Sequence, residues 1–398
     1  MQLTVPANYD PDLLSELELY PVSEIYGKLP SDLVGGGRPS YMGTPLSRSE
    51  LRDYVSLMQD KGIAFNYLLN SSCLGNREWT AGWQKRLMKL LDRLGDMGIR
   101  NLTVSTPYLL ELIKGRRPAF RVKVGIFAEI DTPSRARFWE ELGADALTLE
   151  SLTINRDFGR LRAIRDAVSI PLQLIANHIC MPDCPLQSYH QNGFAHASDG
   201  SGSLFIDYCL FRCSRRRMED PSLFVRSPWI RPEDLSAYED IGYTQFKLTE
   251  RGIPSDELLK RVSAYADRQF EGNLAELLLP YAFPEPVEKS SLWFLKHFLH
   301  PGKIWPWKMK PILELARQQG MMFSVDKRPV RICAERIPSD FLRQVVRRDC
   351  VSRLCHECGY CEQVARDAVD MDAKFREESL EKFRAVEDKL RSGELWNV

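Results

Sequence analysis

Short apolar runs alternate with amphipathic helical segments along the first two thirds of the chain. The segments SRSELRDYVSLMQDKG, TAGWQKRLMKLLDRLGDMG and SRARFWEELG place apolar residues at i, i+3 and i+4, and each ends on a glycine suited to the position after a helix. A short apolar run between such segments is typical of a buried strand. The runs are Leu19–Tyr26, Ile63–Leu69, Leu102–Ser105, Val122–Phe127, Ala146–Leu149, Leu172–Ala176, Leu223–Val225 and Thr244–Leu248.

This alternation predicts an α/β fold, most simply a (β/α)8 TIM-like barrel with parallel strands inside and helices outside. A doubly wound open sheet is the competing interpretation, but no Gly-x-Gly-x-x-Gly follows the first run. After Gly252 the pattern changes. We therefore predict a barrel domain over 1–275, a Pro- and Trp-rich linker or arm over 276–311, and a C-terminal cysteine-rich helical module over 312–398, which ends in a charged helix, Asp367–Arg391.

Charge and hydropathy exclude several classes of protein. The chain has 54 Lys plus Arg and 54 Asp plus Glu, so its formal net charge is zero. This balance argues against a protein that coats nucleic acid or an anionic membrane, although a local basic groove remains compatible with it. No run approaches the roughly 18 apolar residues of a membrane span, and MQLTVPANYD lacks the features of a secretory signal. We expect a cytoplasmic protein.

Cysteine supplies the main candidate chemistry. Of ten cysteines, four lie in 180–213 and four in 350–361. Clustered cysteine in a reducing compartment indicates metal or iron–sulfur ligation rather than disulfides. The first group has two Cys-x-x-x-Cys pairs, and the first pair follows IPLQLIAN, at the strand end where barrel enzymes build active sites. Zinc or a [4Fe–4S] cluster would suit its four thiolates, which are Cys180, Cys184, Cys209 and Cys213.

The second group contains Cys-x-x-Cys-x-x-Cys, three quarters of a bacterial ferredoxin ligand run. Its fourth ligand would be Cys350, with Cys333 in reserve, although no proline follows Cys361. Zinc remains the alternative to iron and sulfide. We predict a second iron–sulfur cluster, or zinc, at Cys350, Cys355, Cys358 and Cys361.

Several of these features resemble the collagenase-like peptidase family, U-thirty-two (U32). They are a strand ending in Asn177, the cysteine-rich loop, the second cysteine pair, and SPWIRPEDLSAYEDIGYTQFKLTERG. Tyr26-Gly27 followed by Arg38 and the helix from Ser47 is also similar, so the resemblance covers 18–275. It implies a barrel-like domain with a [4Fe–4S] cluster at Cys180, Cys184, Cys209 and Cys213. The sequence departs from the family in its cysteine spacing and in Thr249, which is inserted before Glu250-Arg251.

Candidate catalytic residues lie where the apolar runs end, because a barrel directs such positions toward its mouth. Each also has a simpler interpretation, as a solvated polar residue or, for the last two, as a mutual ion pair. The candidates are Asn177, His178, Glu129, Glu150, Glu250 and Arg251.

The resemblance leaves the chemistry open, since some members of the family are described as peptidases and others take part in oxygen-independent hydroxylation of ubiquinone precursors or of bases in RNA. The chain has no His-Glu-x-x-His and no Gly-x-Ser-x-Gly. Two cluster sites are typical of an electron path. We therefore favour an iron–sulfur redox enzyme that hydroxylates, or modifies in a related way, a small molecule, peptide or nucleobase, with electrons from a separate donor. The alternatives are a noncatalytic cluster-bearing partner subunit of a heteromeric complex and a peptidase.

Overall fold

The computed structural model describes residues 1–40, 43–200, 205–279, 304–318, 329–348, 350 and 353–396. Contacts between Cα atoms divide the chain into a barrel unit, Met1–Phe205 with Pro228–Phe270, and a second unit, Ile206–Ser227 with Glu271–Val398. Most of the predicted linker over 276–311 lies outside the described residues.

The barrel unit contains eight parallel strands closed into a barrel, which confirms the predicted fold class. Closure occurs where the first strand pairs with the second and the eighth, so that Thr4 lies beside both Glu24 and Lys247. The strands are β1 Gln2–Pro6, β2 Val22–Gly27, β3 Ala64–Leu69, β4 Asn101–Val104, β5 Arg121–Val124, β6 Ala146–Thr148, β7 Leu172–Ile175 and β8 Gln245–Lys247.

The helices of the barrel unit begin and end where the sequence signals indicate. Ser47 caps the helix Arg48–Asp60 in a capping box with Glu50, and Gly62 ends that segment with a φ of +70°. Apolar faces of these helices are buried, with Trp83 only 1% exposed. The helices are Pro11–Leu17, Arg48–Asp60, Ala81–Asp96, Pro107–Arg116, Pro133–Glu141, Ser151–Ile154, Phe158–Ala167, Gln187–Ala197, Leu235–Glu239 and Ser255–Asp267.

Two of the strand assignments from sequence were wrong. The first strand of the barrel is Gln2–Pro6, which was not predicted, and the predicted strand Leu223–Val225 lies in a helix, Ser222–Arg226. Three apolar residues in a row carry no periodicity that separates strand from helix. The preceding Asp220-Pro221 starts the helix, because the Asp220 carboxylate accepts a hydrogen bond from the Ser222 backbone N–H at 3.0 Å.

The second unit is mainly helical, as the sequence predicts for the C-terminal module, and includes a two-stranded antiparallel sheet of β9 Val330–Ile332 and β10 Val369–Met371. Residues 206–227 belong to it because Arg212 and Arg215 both form ion pairs with Glu387 of the last helix. That charged helix begins at Ala373, since β10 occupies the first part of the predicted range. The helices are Tyr208–Glu219, Ser222–Arg226, Ala275–Leu278, Lys310–Gln318, Phe341–Val346, Cys355–Cys358, Tyr360–Ala368 and Ala373–Arg391.

Candidate functional site

A small pocket, partly open to solvent, lies in the barrel unit, among residues that follow the carboxyl ends of β1, β2 and β8. In a parallel barrel these ends form the face on which active sites are built. The pocket combines apolar walls with three basic side chains. Its lining is Ala7, Tyr9, Lys28, Leu29, Pro30, Arg38, Pro39, Gly43, Thr44 and Arg251.

Lys28, the first basic residue of this pocket, forms a buried ion pair. Its Nζ lies 3.0 Å from the Asp32 carboxylate, and both side chains are only 3% exposed. Asp32 also accepts hydrogen bonds from the Tyr67 hydroxyl at 2.9 Å and the Gly35 backbone N–H at 2.8 Å. Burial lowers the pKa of Lys28 although the Asp32 carboxylate acts in the opposite direction. The charge of Lys28 is therefore matched within the protein.

Arg38, the second basic residue, is matched by Glu250. The Arg38 guanidinium forms an ion pair with the Glu250 carboxylate and donates a second hydrogen bond to the Arg251 backbone carbonyl. Glu250 has a φ of +92°, a left-handed conformation that favours glycine. The predicted mutual pairing of Glu250 with Arg251 is not what the structure shows, because Arg38 takes the carboxylate and leaves Arg251 without it.

Arg251 is the third basic residue of the pocket. Within the part of the chain that the structure describes, its guanidinium contacts no carboxylate. Burial lowers the pKa of Arg251, and the nearby Tyr26, Tyr9 and Asp32 offset only part of that effect. A partly desolvated cation without a matching anion favours an anionic ligand.

Asn177 and His178, both predicted from sequence, lie at the carboxyl end of β7. Asn177 is 1% exposed, and its Oδ1 accepts hydrogen bonds from the Thr249 backbone N–H at 2.7 Å and hydroxyl at 3.0 Å. It therefore positions the segment that carries Glu250 and Arg251. His178 Nδ1 lies 2.6 Å from the Oγ of Ser151, a residue that the sequence analysis did not select.

Glu129 and Glu150 follow β5 and β6 as predicted, and the structure brings neither into the lining of the pocket. The Glu150 carboxylate accepts hydrogen bonds from the backbone N–H groups of Leu152 at 2.9 Å and Thr153 at 2.7 Å. It thereby caps the helix that carries Ser151. Glu129 is half-buried and accepts a hydrogen bond from the Ser188 hydroxyl at 3.2 Å. Both contacts orient loops.

Inside the barrel, a polar network of residues surrounds one acidic side chain. Glu24 of β2 accepts hydrogen bonds from Lys123 Nζ at 2.6 Å and from Asn66 Nδ2 at 3.0 Å. Although burial alone would raise the pKa of Glu24, the Lys123 ammonium holds it below its usual value. Lys247, at the end of β8, places its Nζ 3.9 Å from the centre of the Tyr26 ring. These residues have no local sequence signal, because they converge from separate strands.

None of the ten cysteines, all of which the structure describes, forms a disulfide. Cys209 and Cys213 are one turn apart on the helix Tyr208–Glu219, so they share one face, and Arg217 Nη1 lies 3.7 Å from the Cys213 sulfur. Cys180 and Cys184 lie in the loop after β7, which belongs to the barrel unit. Cys209 and Cys213 belong to the second unit.

Three of the C-terminal cysteines lie on two short helices. Cys355 and Cys358 begin and end one helix, and Cys361 is the second residue of the next. Among the described residues, no three of these sulfurs and that of Cys350 come within 4.8 Å of one another. Cluster or zinc binding at this group stays a prediction.

A known relative decides the family of the chain. The uncharacterized protease MJ1657 of Methanocaldococcus jannaschii is 30% identical over 285 residues, which make up 72% of this chain and 82% of the relative. The chain belongs to the U32 peptidase family. A search against protein-family models gave no match.

Solved structures similar to this U32 chain include barrels of several kinds. The U32 peptidase Mk0906 covers 64% of this chain and 94% of its own, with 21% identity and a TM-score of 0.47. Phosphoribosyl anthranilate isomerase from Thermus thermophilus covers 67% and 98%, with 11% identity and a TM-score of 0.36. In the described part of the U32 chain, every helix is too short or too polar to cross a membrane.

Proposed function

We propose that this U32 chain is an iron–sulfur redox enzyme that binds the carboxylate of a small substrate at the barrel mouth, through Arg251. The charge balance of the pocket is the observation that supports a carboxylate as the substrate class. Asp32 matches Lys28 and Glu250 matches Arg38, whereas no described carboxylate contacts Arg251. A carboxylate from the substrate would supply the missing charge and accept two parallel guanidinium hydrogen bonds.

The pocket also limits the size and polarity of that substrate. The pocket is small and partly open to solvent, and Ala7, Leu29, Pro30 and Pro39 give it apolar walls. These features favour a compact molecule with one apolar side over a long peptide or a folded RNA. Among the substrate classes considered from sequence, the small molecule is therefore the one we propose.

The redox part of the proposal depends on the cysteines. Cys180, Cys184, Cys209 and Cys213 would hold a [4Fe–4S] cluster, and the C-terminal group would hold a second cluster or zinc. The shared face of Cys209 and Cys213, and the position of Cys180 and Cys184 in the loop after β7, support this assignment. Such clusters supply single electrons, so the enzyme would need an electron donor, and a related partner subunit is a further expected partner. Oxygen-independent hydroxylation, or a related modification, would then proceed under strict anaerobiosis.

Replacing Arg251 with methionine should weaken the binding of benzoate, a carboxylate with an apolar body, by about tenfold to a hundredfold. This is the expected effect of removing a pair of charge-assisted hydrogen bonds. Calorimetric titration of the anaerobically purified full chain measures this change. The control is Arg116→Met, at the exposed end of the helix Pro107–Arg116. Equal affinity in the wild type and Arg251→Met would contradict the carboxylate site. A chain that retains its iron but binds no carboxylate would be the cluster-bearing partner subunit.

A peptidase is the second candidate, because Ser151 Oγ and His178 Nδ1 are 2.6 Å apart, the distance that a serine nucleophile and its base require. The complete burial of Ser151 places this candidate second. A peptidase would degrade casein, and Ser151→Ala would abolish the cleavage while Ser188→Ala, an exposed serine, would retain it. From the redox proposal we expect no cleavage by the wild type or by either variant.

A further inference from the structure

Lys247 lies inside the barrel unit, and among the described residues none accepts a hydrogen bond from its ammonium group. It is the last residue of β8, its backbone pairs with Thr4 and Ile175, and its side chain is half-buried rather than sealed. Within the described part of the chain, its Nζ has one close contact, with the ring of Tyr26 at 3.9 Å. A π face stabilises a cation less than a carboxylate does, so Lys247 lacks the usual partner of a buried lysine.

The carboxylate that acts on Lys247, that of Glu24, already pairs with another cation. Glu24 forms an ion pair with Lys123 at 2.6 Å. Lys247 therefore has a second ammonium group nearby and only a share of one acidic charge. Burial, the Lys123 ammonium and the Arg251 guanidinium together lower the pKa of Lys247 to about 7, and the Glu24 carboxylate offsets only part of this shift. Near neutral pH a large share of Lys247 carries a free lone pair.

We propose that Lys247 is a nucleophile that forms an imine with the carbonyl carbon of a small 2-oxo acid, an inference that rests on the carboxylate site proposed for Arg251. The Nζ lone pair adds to the carbonyl carbon, and a proton moves from nitrogen to oxygen, which gives a carbinolamine. The carbinolamine then loses a water molecule, which consists of the former carbonyl oxygen and two protons, and the C=N bond of the imine remains. The sequence is balanced without an oxidant or reductant. An amine desolvated beside a second cation is activated for this chemistry.

A 2-oxo acid is the carbonyl compound that matches both groups. Its carboxylate is bonded directly to the carbonyl carbon, so the anion and the electrophile arrive together. Arg251 follows Lys247 by four residues at the same strand end, and its charge acts on the amine. The guanidinium would hold the carboxylate while the amine attacks the adjacent carbon.

Reductive trapping tests the proposal. The full-length chain is incubated with pyruvate and cyanoborohydride at pH 7, and the alkylated lysines are located by peptide mass spectrometry. We expect Lys247 to react on the order of a hundred times faster than the exposed Lys85 and Lys89, because a pKa of about 7 leaves its amine far less protonated at this pH than the reference lysine pKa of about 10.4 would. The Lys247 rate should level off above about pH 7.

Three comparisons make the outcome decisive. Lys247→Met should remove the fast labelling. If that variant does not fold, peptide mass spectrometry of the labelled wild type still shows whether Lys247 is the lysine that reacts fast. Propanal, which lacks a carboxylate, should label Lys247 somewhat more slowly in Arg251→Met, because the amine loses a cation that lowers its pKa, while pyruvate should show a larger fall in rate. An equal fall for both probes would refute the carboxylate site and retain the nucleophile. Labelling of Lys247 no faster than that of Lys85 would overturn the inference.

Discussion

Replacing Asp32 with alanine is expected to lower the free energy of unfolding of the barrel unit by about 3–5 kcal/mol, the usual cost of removing one partner from a buried ion pair. Among the described residues, the substitution leaves the Lys28 ammonium, which is 3% exposed, with one hydrogen-bond acceptor, the Gly35 backbone carbonyl at 2.6 Å. The Tyr67 hydroxyl and the Gly35 backbone N–H also lose their acceptor. An uncompensated buried charge outweighs each of these losses taken singly.

Urea unfolding followed by circular dichroism measures this effect. Asp53→Ala, on the exposed face of the helix Arg48–Asp60, is the matched control and should change stability by less than about 0.5 kcal/mol. The double variant Asp32→Leu with Lys28→Met should recover much of the loss, because it removes both charges from the interior. A loss below about 1 kcal/mol for Asp32→Ala would show that Lys28 is hydrated rather than desolvated.

The barrel was predictable because helices and strands carry different periodicities over most of the unit. Helix ends at Ser47 and Gly62 have local signals, a capping box and a glycine with positive φ, and both occur as expected. The first strand, QLTVP, was missed because it has no preceding helix to separate it from the start of the chain. The helix Ser222–Arg226 was missed because three apolar residues suit either structure.

The site was only partly predictable for a related reason. Glu250 and Arg251 were selected because they follow the end of the apolar run Thr244–Leu248. The state of Lys247, within the same run, depends on Glu24 and Lys123, which come from strands more than 100 residues away in sequence. Likewise, the carboxylate at Glu250 is taken by Arg38, a partner that adjacency in sequence does not indicate. Which charged side chains pair with each other depends on the folded barrel and cannot be predicted from the order of residues alone.

Cys180→Ala is expected to remove the iron and sulfide of one cluster from the anaerobically purified chain and to leave the metal of the C-terminal group in place. A [4Fe–4S] cluster needs four thiolate ligands, and the loss of one leaves an iron open to solvent and labile. Iron and sulfide analysis with electron paramagnetic resonance measures the loss. Cys73→Ala is the control, since Cys73 lies outside both groups and should change nothing. Unchanged iron in Cys180→Ala would refute the ligand assignment, and zinc in place of iron at either group would remove the predicted electron path.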